Sequence, residues 1–139
     1  PIGLAVHIAD PGLAAVILTS PTLVMAPAFW RNRSDPLMLA IALGLALTFV
    51  LTVPIAGTMA NLMSHHVGTP VTGAQFPLMG WSMEVGDLRL PHFLATHAMH
   101  FVPLAGLSGN RMAVWTTAAG FTVLVLWCFA RALSGLPPF

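Results

Sequence analysis

The sequence predicts an all-α integral membrane protein, a bundle of four transmembrane helices with one long structured loop between helices 2 and 3. Apolar residues make up 57% of the 139-residue chain and charged residues only 6%, whereas a soluble domain has about 25% charged residues. The charges also divide the chain into neutral stretches, at 11–30, 36–83, 90–110 and 112–130. A bilayer accepts such stretches as helices and penalises charge within them.

Three of the neutral stretches have the length of one membrane crossing. Each contains about 20 residues, and a helix of that length covers about 30 Å of hydrocarbon. The stretch 36–83 is long enough to cross once and leave a loop. We therefore expect one membrane domain over residues 1–139, with helices near 11–30, 36–63, 88–107 and 111–133 and a loop at 64–87.

Aspartate–proline pairs mark the starts of the first two helices. Asp10 and Asp35 can cap a helix, and the proline after each suits the first helical position. Pro21 and Pro27 fall inside the first helix, so we expect a kink or an early end there. Residues 1–10 have no basic segment, and we expect no cleaved signal peptide.

The third helix is predicted to open with Asp87 as its N-cap, and the fourth to follow Asn110. The loop before the third helix is rich in glycine and proline and has no helical periodicity. A long connection without secondary structure of its own is usually functional or packed on a partner. Small residues in the second helix, among them Ala40 and Gly44, allow another helix to approach closely.

The distribution of the arginines indicates how the chain is oriented in the membrane. Arg31, Arg33 and Arg111 fall on the side of the two short loops, and Arg89 and Arg131 on the side of the long loop and the termini. This excess favours short loops in the cytoplasm and a periplasmic long loop in a bacterial inner membrane. A net charge of +1 without a basic stripe argues against nucleic acid as a partner.

Histidines of the third helix are the main candidates for chemistry. His92, His97 and His100 share one broad face of an ideal helix, and His97 lies near the bilayer midplane. An ionisable side chain at that depth must be paired, hydrated or liganded. Three interpretations stay open. These histidines could bind a haem b or a bacteriochlorophyll, His97 could serve a proton relay or a substrate, or it could donate a hydrogen bond to a threonine on another helix (Thr52, Thr58, Thr116 or Thr117).

Two further groups of candidate residues, a histidine pair and a charged cluster, are expected near the membrane boundary. His65 and His66 end the second helix, either as a polar helix end or as a pair of metal ligands. Glu84, Asp87 and Arg89 are expected to pair at the low-dielectric boundary, as a structural clamp that seats the loop on the third helix. No nucleophile, phosphate loop or zinc motif accompanies them, so we expect that no residue is catalytic and that the protein is not an enzyme.

A series of short sequence motifs runs from the end of the second helix into the third. It reads SHHVG, then GWS, then GDLRLPHF, then HAM and Pro103. This resembles a GWS…GDLR…HF…HA…P segment of uncharacterised bacterial multipass inner-membrane proteins, in which the position of His100 is often glutamine. The resemblance covers residues 64–103. It implies a bacterial inner membrane and a multi-helix α fold, and it implies no activity.

Three function classes are compatible with these features. The first is a non-catalytic integral subunit that stabilises or organises a larger bacterial complex of respiratory or photosynthetic type, in contact with lipid and with other integral membrane subunits. The second is a tetrapyrrole-binding membrane protein that uses the mid-membrane histidines. The third is a small proton-handling channel or transporter component. The small chain with no complete catalytic constellation favours the first class.

Overall fold

The structure, a computed structural model, describes residues 11–138 and contains five helices and two short strands in that range. The helices are α1 (Pro11–Trp30), α2 (Pro36–Leu62), α3 (Arg89–Thr96), α4 (Ala98–Gly106) and α5 (Arg111–Leu133), and the strands are β1 (His66–Val67) and β2 (Gly86–Asp87). The predicted all-α class is therefore confirmed. The predicted cap at Asp10 lies outside the described residues.

Three of these helices, α1, α2 and α5, are long and apolar enough to cross a membrane. The helix predicted over 88–107 is instead divided at His97 into α3 and α4, of eight and nine residues. Each half covers only about 12–14 Å, less than half of a hydrocarbon layer. The structure thus corrects the single continuous helix expected there.

Side-chain caps begin α2 and α5. Asp35 Oδ1 accepts hydrogen bonds from the N–H groups of Leu37 and Met38, at 2.7 and 3.1 Å. Asn110 Oδ1 accepts one from Met112 N at 2.8 Å. Each cap satisfies donors that have no partner inside the first turn of a helix. The starts at Pro36 and Arg111 follow from this chemistry.

The first helix continues through both of its prolines to Trp30, so of the kink or early end expected there, the early end does not occur. Proline at position 21 leaves the carbonyl of Ile17 without its helical donor. The Ser20 hydroxyl donates to that carbonyl at 2.9 Å. A serine next to the proline therefore satisfies the freed acceptor, as membrane helices require.

Helix α2 is the centre of the fold, because it packs against all four other helices. Glycine permits its closest contact. A Cβ added at Gly44 would lie 3.1 Å from the carbonyl oxygen of Ala98 and 3.1 Å from Pro103 Cδ. The small residue expected to allow close approach therefore lies against α4. Buried apolar side chains of α2, α3 and α5 (Leu51, Ile55, Ala95 and Val125) form the largest core cluster.

The interruption between α3 and α4 lies against Thr48 of α2. His97 takes φ −96° and ψ 5°, which removes the following residues from the regular ladder of helical hydrogen bonds. Met99 N donates instead to Thr48 Oγ1 at 2.9 Å. Thr48 is only 2% exposed, and it donates its own hydrogen to the Gly44 carbonyl at 2.9 Å. One buried hydroxyl thus satisfies a backbone donor of the broken segment.

Replacing Thr48 by valine tests the importance of this acceptor. Thr48→Val keeps the side-chain shape but leaves the Met99 N–H without its partner, so the free energy of unfolding should fall by about 1 kcal/mol. Sodium dodecyl sulfate unfolding in mixed micelles, followed by circular dichroism, measures this change.

Thr122→Val is the matched control. The Thr122 hydroxyl donates to the Ala118 carbonyl of its own helix at 2.8 Å. Thr122→Val removes the same kind of hydroxyl-to-carbonyl hydrogen bond, but no backbone N–H loses its acceptor. The free energy of unfolding should therefore stay nearly unchanged. Equal stabilities of the two variants would contradict the role assigned to Thr48.

Candidate functional site

The loop predicted at 64–87 has secondary structure of its own, because its two ends pair. His66 lies opposite Asp87, and Val67 opposite Gly86, in an antiparallel ladder. Strand β2 rests on the end of α5, where a Cβ at Gly86 would lie 2.8 Å from the carbonyl carbon of Ala132. Only glycine fits this close approach. The long loop, which was expected to be structured, is thus closed at its base by a two-residue ladder.

Asp87 and Arg89 form an ion pair at the start of α3, between a buried carboxylate and a half-buried guanidinium. Asp87 is 1% exposed, and its Oδ2 lies 2.6 Å from Arg89 Nη2. The same carboxylate accepts hydrogen bonds from Ser82 N at 2.8 Å and from Arg89 N at 3.0 Å. Asp87 precedes the N-cap position, which Leu88 occupies, so the predicted N-cap is shifted by one residue. The carboxylate nonetheless binds the first backbone N–H of the helix.

Arg89 also reaches back into the loop. Its Nη2 donates to the carbonyl of Gly80 at 2.6 Å. The guanidinium thus connects a loop residue to Asp87 and to the helix that follows. Burial acts to raise the pKa of Asp87, but the hydrogen bonds from Arg89 and Ser82 outweigh it and hold the pKa below its usual value. Asp87 is therefore an ionised carboxylate at neutral pH.

Glu84 is not part of this ion pair, and its carboxylate binds backbone N–H groups of the loop instead. Its carboxylate accepts hydrogen bonds from Val71 N at 2.6 Å and from Ala74 N at 2.7 Å. It also accepts them from the hydroxyl and the N–H of Thr72. These donors, the Thr72 hydroxyl first, lower the pKa of Glu84 to about 2. The three charged residues predicted to act together therefore divide into a pair and a separate loop centre.

The two histidines after α2 lie at the edge of this cluster. Their rings are 4.1 Å apart between centres, and His66 Nε2 lies 3.6 Å from Asp87 Oδ2, beyond hydrogen-bond distance. Burial, followed by the charge of Arg89, lowers the pKa of His65. No group of three His, Cys, Asp or Glu residues in the described range could hold a metal ion. Metal binding by this pair remains a prediction.

His97 lies at the helix break and bonds to its own helix. Its Nδ1 is 2.7 Å from the carbonyl oxygen of Phe93. A carbonyl only accepts, so Nδ1 carries the proton of this bond, and Nε2 is the ring nitrogen left for another partner. Thr96 Oγ1 also lies 3.1 Å from Nδ1. The predicted hydrogen bond to a threonine of another helix is replaced by this local one. The break explains the change, because it brings the ring over the turn that ends α3.

Aromatic rings continue from the loop along the broken segment. Trp81 lies 5.9 Å from Phe93, and Phe93 lies 4.1 Å from His97, measured between ring centres. His97 in turn lies 5.3 Å from His100 and 6.4 Å from Phe101. His100 is exposed and His97 half-buried on the surface of the chain. The two histidines thus form a pair that other helices leave partly uncovered.

His92 is separated from that pair. It lines an open crevice of about 290 Å³ with residues of α1 and α2 (Ala14, Ala15, Leu18, Ala56 and Met59), and its Nδ1 is buried without a hydrogen-bond partner. The face predicted for all three histidines assumed one ideal helix. Because the helix breaks at His97, only His97 and His100 come together.

Comparisons with protein-family models, curated proteins and solved structures give no match. Two residues of the site were missed by sequence reasoning, Thr48 and Ser82. A serine or threonine has no distinctive spacing when its partner is distant in sequence, so no signal identified Thr48. Ser82 follows tryptophan in the GWS motif, and the motif alone shows none of its contacts.

The low pKa of Glu84 predicts an acid-sensitive loop. The folded-state pKa of about 2 lies below the usual 4.5, so the stabilisation is complete above the usual value and is lost as pH falls toward 2. Hydrogen-exchange protection of the Thr72 and Ala74 amides should decline over that interval. Glu84→Gln should lower their protection at neutral pH and remove this dependence.

The Leu88 amide provides the internal control. It donates to the His65 carbonyl at 2.8 Å, a bond that contains no titrating group. Parallel loss of protection at Leu88 and at Thr72 in the same acid interval would show general unfolding rather than titration of Glu84.

Proposed function

We propose that this chain is a non-catalytic integral membrane subunit of a larger complex, of respiratory or photosynthetic type, in a bacterial inner membrane. Three helices long and apolar enough to cross a membrane support the membrane location. Their outward side chains are mostly apolar, including Leu18, Val24 and Trp127. Lipid is the solvent that suits such a surface.

We further propose that α3 and α4 together make a fourth crossing. Their two ends lie beside opposite ends of α2. Leu88 N donates to the His65 carbonyl at 2.8 Å at one end, and a Cβ on Gly106 would lie 3.1 Å from the Pro36 carbonyl oxygen at the other. A segment that runs beside α2 over this length covers the same thickness of membrane.

The pairing of Arg89 supports a periplasmic long loop. Arg31, Arg33 and Arg111 are exposed beside the short loops. Arg89 is neutralised by Asp87 at 2.6 Å, so it contributes little to the charge of the opposite side. The excess of free positive charge therefore favours short loops in the cytoplasm.

The subunit proposal depends on one observation, the partly uncovered histidine pair in the middle of an apolar segment. His100 is exposed, and its neighbours Phe101 and Leu104 are 43% and 60% exposed. An imidazole that faces hydrocarbon loses the hydrogen bonds it makes in water, which is costly. A neighbouring subunit with a polar group at this depth would restore them. The surface of His100, Phe101 and Leu104 is called the His100 face below.

Site-directed photo-crosslinking tests this proposal. A benzoylphenylalanine at Leu104, on the His100 face, should crosslink in native membranes to one defined integral membrane protein. The same probe at Val24, which is 77% exposed on α1, is the matched control and should label lipid. Because the two sites are similarly apolar, a difference reports a specific neighbour.

Two results would contradict the subunit proposal. Labelling of lipid alone at both positions would show that the His100 face is open to the bilayer. A crosslink at Leu104 only to a second copy of this chain would indicate a homo-oligomer rather than a larger complex.

A second candidate function, binding of a tetrapyrrole, is favoured by the tautomer of His97. A histidine that ligates a metal commonly donates its other ring N–H to a carbonyl, which orients the ring and raises its basicity. His97 makes this bond to Phe93 and leaves Nε2 for another partner. His97 would hold such a group through Nε2, beside the apolar rings of Phe93 and Phe101. The bound group would supply its own redox or light-absorbing chemistry.

His100 lies beside His97 on the same broken segment, with ring centres 5.3 Å apart. This spacing favours neither a haem b nor a bacteriochlorophyll as the bound group. His92, which lines a different crevice, is not part of this arrangement.

Absorption spectra of protein extracted in mild detergent test this second candidate. A bound pigment should be lost in His97→Ala, retained in His92→Ala, and restored to His97→Ala by added imidazole. Wild-type protein from its native membrane without a tetrapyrrole band would contradict it.

A further inference from the structure

The middle of the long loop forms a small hairpin with an apolar tip. Gln75 and Ser82 form a β-bridge. Inside it, Phe76 N donates to the Trp81 carbonyl at 2.7 Å and Gly80 N to the Phe76 carbonyl at 3.0 Å. Residues 76–81, FPLMGW, are called the apolar hairpin here.

The tip of the hairpin presents two apolar side chains outward. Leu78 is fully exposed, at 103% of its reference area, and has a left-handed φ of 72°. That conformation is disfavoured for a residue with a branched side chain. Met79 is also exposed, at 41%. An exposed leucine held in a disfavoured conformation is a candidate contact residue.

The hairpin lies beside α3 rather than beyond its end. Trp81 contacts Phe93, with ring centres 5.9 Å apart. Phe93 follows Arg89, the first residue of α3, by about one helical turn, which is about 6 Å along the axis. Arg89 Nη2 holds the Gly80 carbonyl at 2.6 Å. The end of the hairpin at Gly80 and Trp81 is therefore held against the first turn of α3.

The composition of this loop segment suits a lipid headgroup region. Residues 67–83 contain no charged side chain, so no charge opposes entry of the tip. Phe76 and Trp81 stack with their ring centres 6.3 Å apart, and tryptophan favours the interface between hydrocarbon and water. The absence of charge in residues 67–83 also gives a protein partner no charge to complement.

We propose that the apolar hairpin inserts Leu78 and Met79 into the headgroup and upper acyl region of the bilayer that α3 enters. The hairpin thereby acts as an interfacial anchor and holds the long loop, residues 64–87, at the membrane surface. This inference rests on the proposed membrane entry of α3 and is independent of any partner complex. Leu78 and Met79 thus contact lipid and not a protein partner.

Site-specific fluorescence in liposomes tests the anchor. The single cysteine, Cys128, is replaced by serine, and a nitrobenzoxadiazole dye is attached at Leu78→Cys, Val71→Cys or Val50→Cys. Val71 is 91% exposed in the polar part of the loop, and Val50 is 57% exposed within α2. Lipids with nitroxides at shallow or deep acyl positions act as quenchers, because quenching requires contact with the acyl chains.

The expected result has three parts. The dye at Leu78 should show blue-shifted emission and quenching by the shallow nitroxide. At Val71 it should emit as in water without quenching, and at Val50 the deep nitroxide should quench it. Met79→Cys provides a second probe of the tip whose backbone lacks the left-handed conformation.

Other results overturn the anchor and separate it from the proposed function. A water-like emission at both Leu78 and Met79, with Val50 quenched, would remove the anchor and leave the membrane protein intact. A blue shift at Leu78 without nitroxide quenching would indicate contact with protein instead of lipid. If Val50 is not quenched, the proposed membrane location itself fails.

Discussion

The hydrogen bond between Met99 N and Thr48 Oγ1 joins the interrupted segment to the central helix, and the arrangement of α3 and α4 depends on that joint. In the proposed membrane crossing, the bilayer offers no water to a backbone group that leaves the helical ladder. The N–H freed near the break at His97 therefore needs an acceptor from the protein, and buried Thr48 supplies it at 2.9 Å. Gly44, one turn earlier on α2, allows the close approach that this bond needs.

The same break decides which histidines can act together. A continuous helix would have placed three of them on one face, whereas the interruption groups His97 with His100 and leaves His92 in a crevice beside α1. It also places the His97 ring over the Phe93 carbonyl, which fixes the proton at Nδ1. The local geometry of one residue thus determines which two histidines form the uncovered pair and which ring nitrogen of His97 the Phe93 carbonyl occupies.

The sequence was sufficient for features with local causes. Charge spacing gave the three long apolar helices, and the caps Asp35 and Asn110 gave two of their starts, because a cap acts on the next turn of the same chain. The break at His97 was not predictable in this way. Pro103 was the visible helix breaker, yet the interruption lies six residues earlier, where Thr48, distant in sequence, accepts the freed donor. The division of Glu84 from Asp87 and Arg89 likewise depends on loop folding, which charge composition does not specify.

Crossing of the membrane by residues 89–106 is tested most directly by the sidedness of the loops at their two ends. Single cysteines at Thr69, in the long loop, and at Ser108, in the short loop, are introduced with Cys128 replaced by serine, and both native positions are exposed. A membrane-impermeant maleimide should label Thr69→Cys in intact spheroplasts, and Ser108→Cys only after the membrane is opened. Labelling of both positions from the same side would show that the interrupted segment enters the membrane without crossing it, and would contradict the four-helix arrangement.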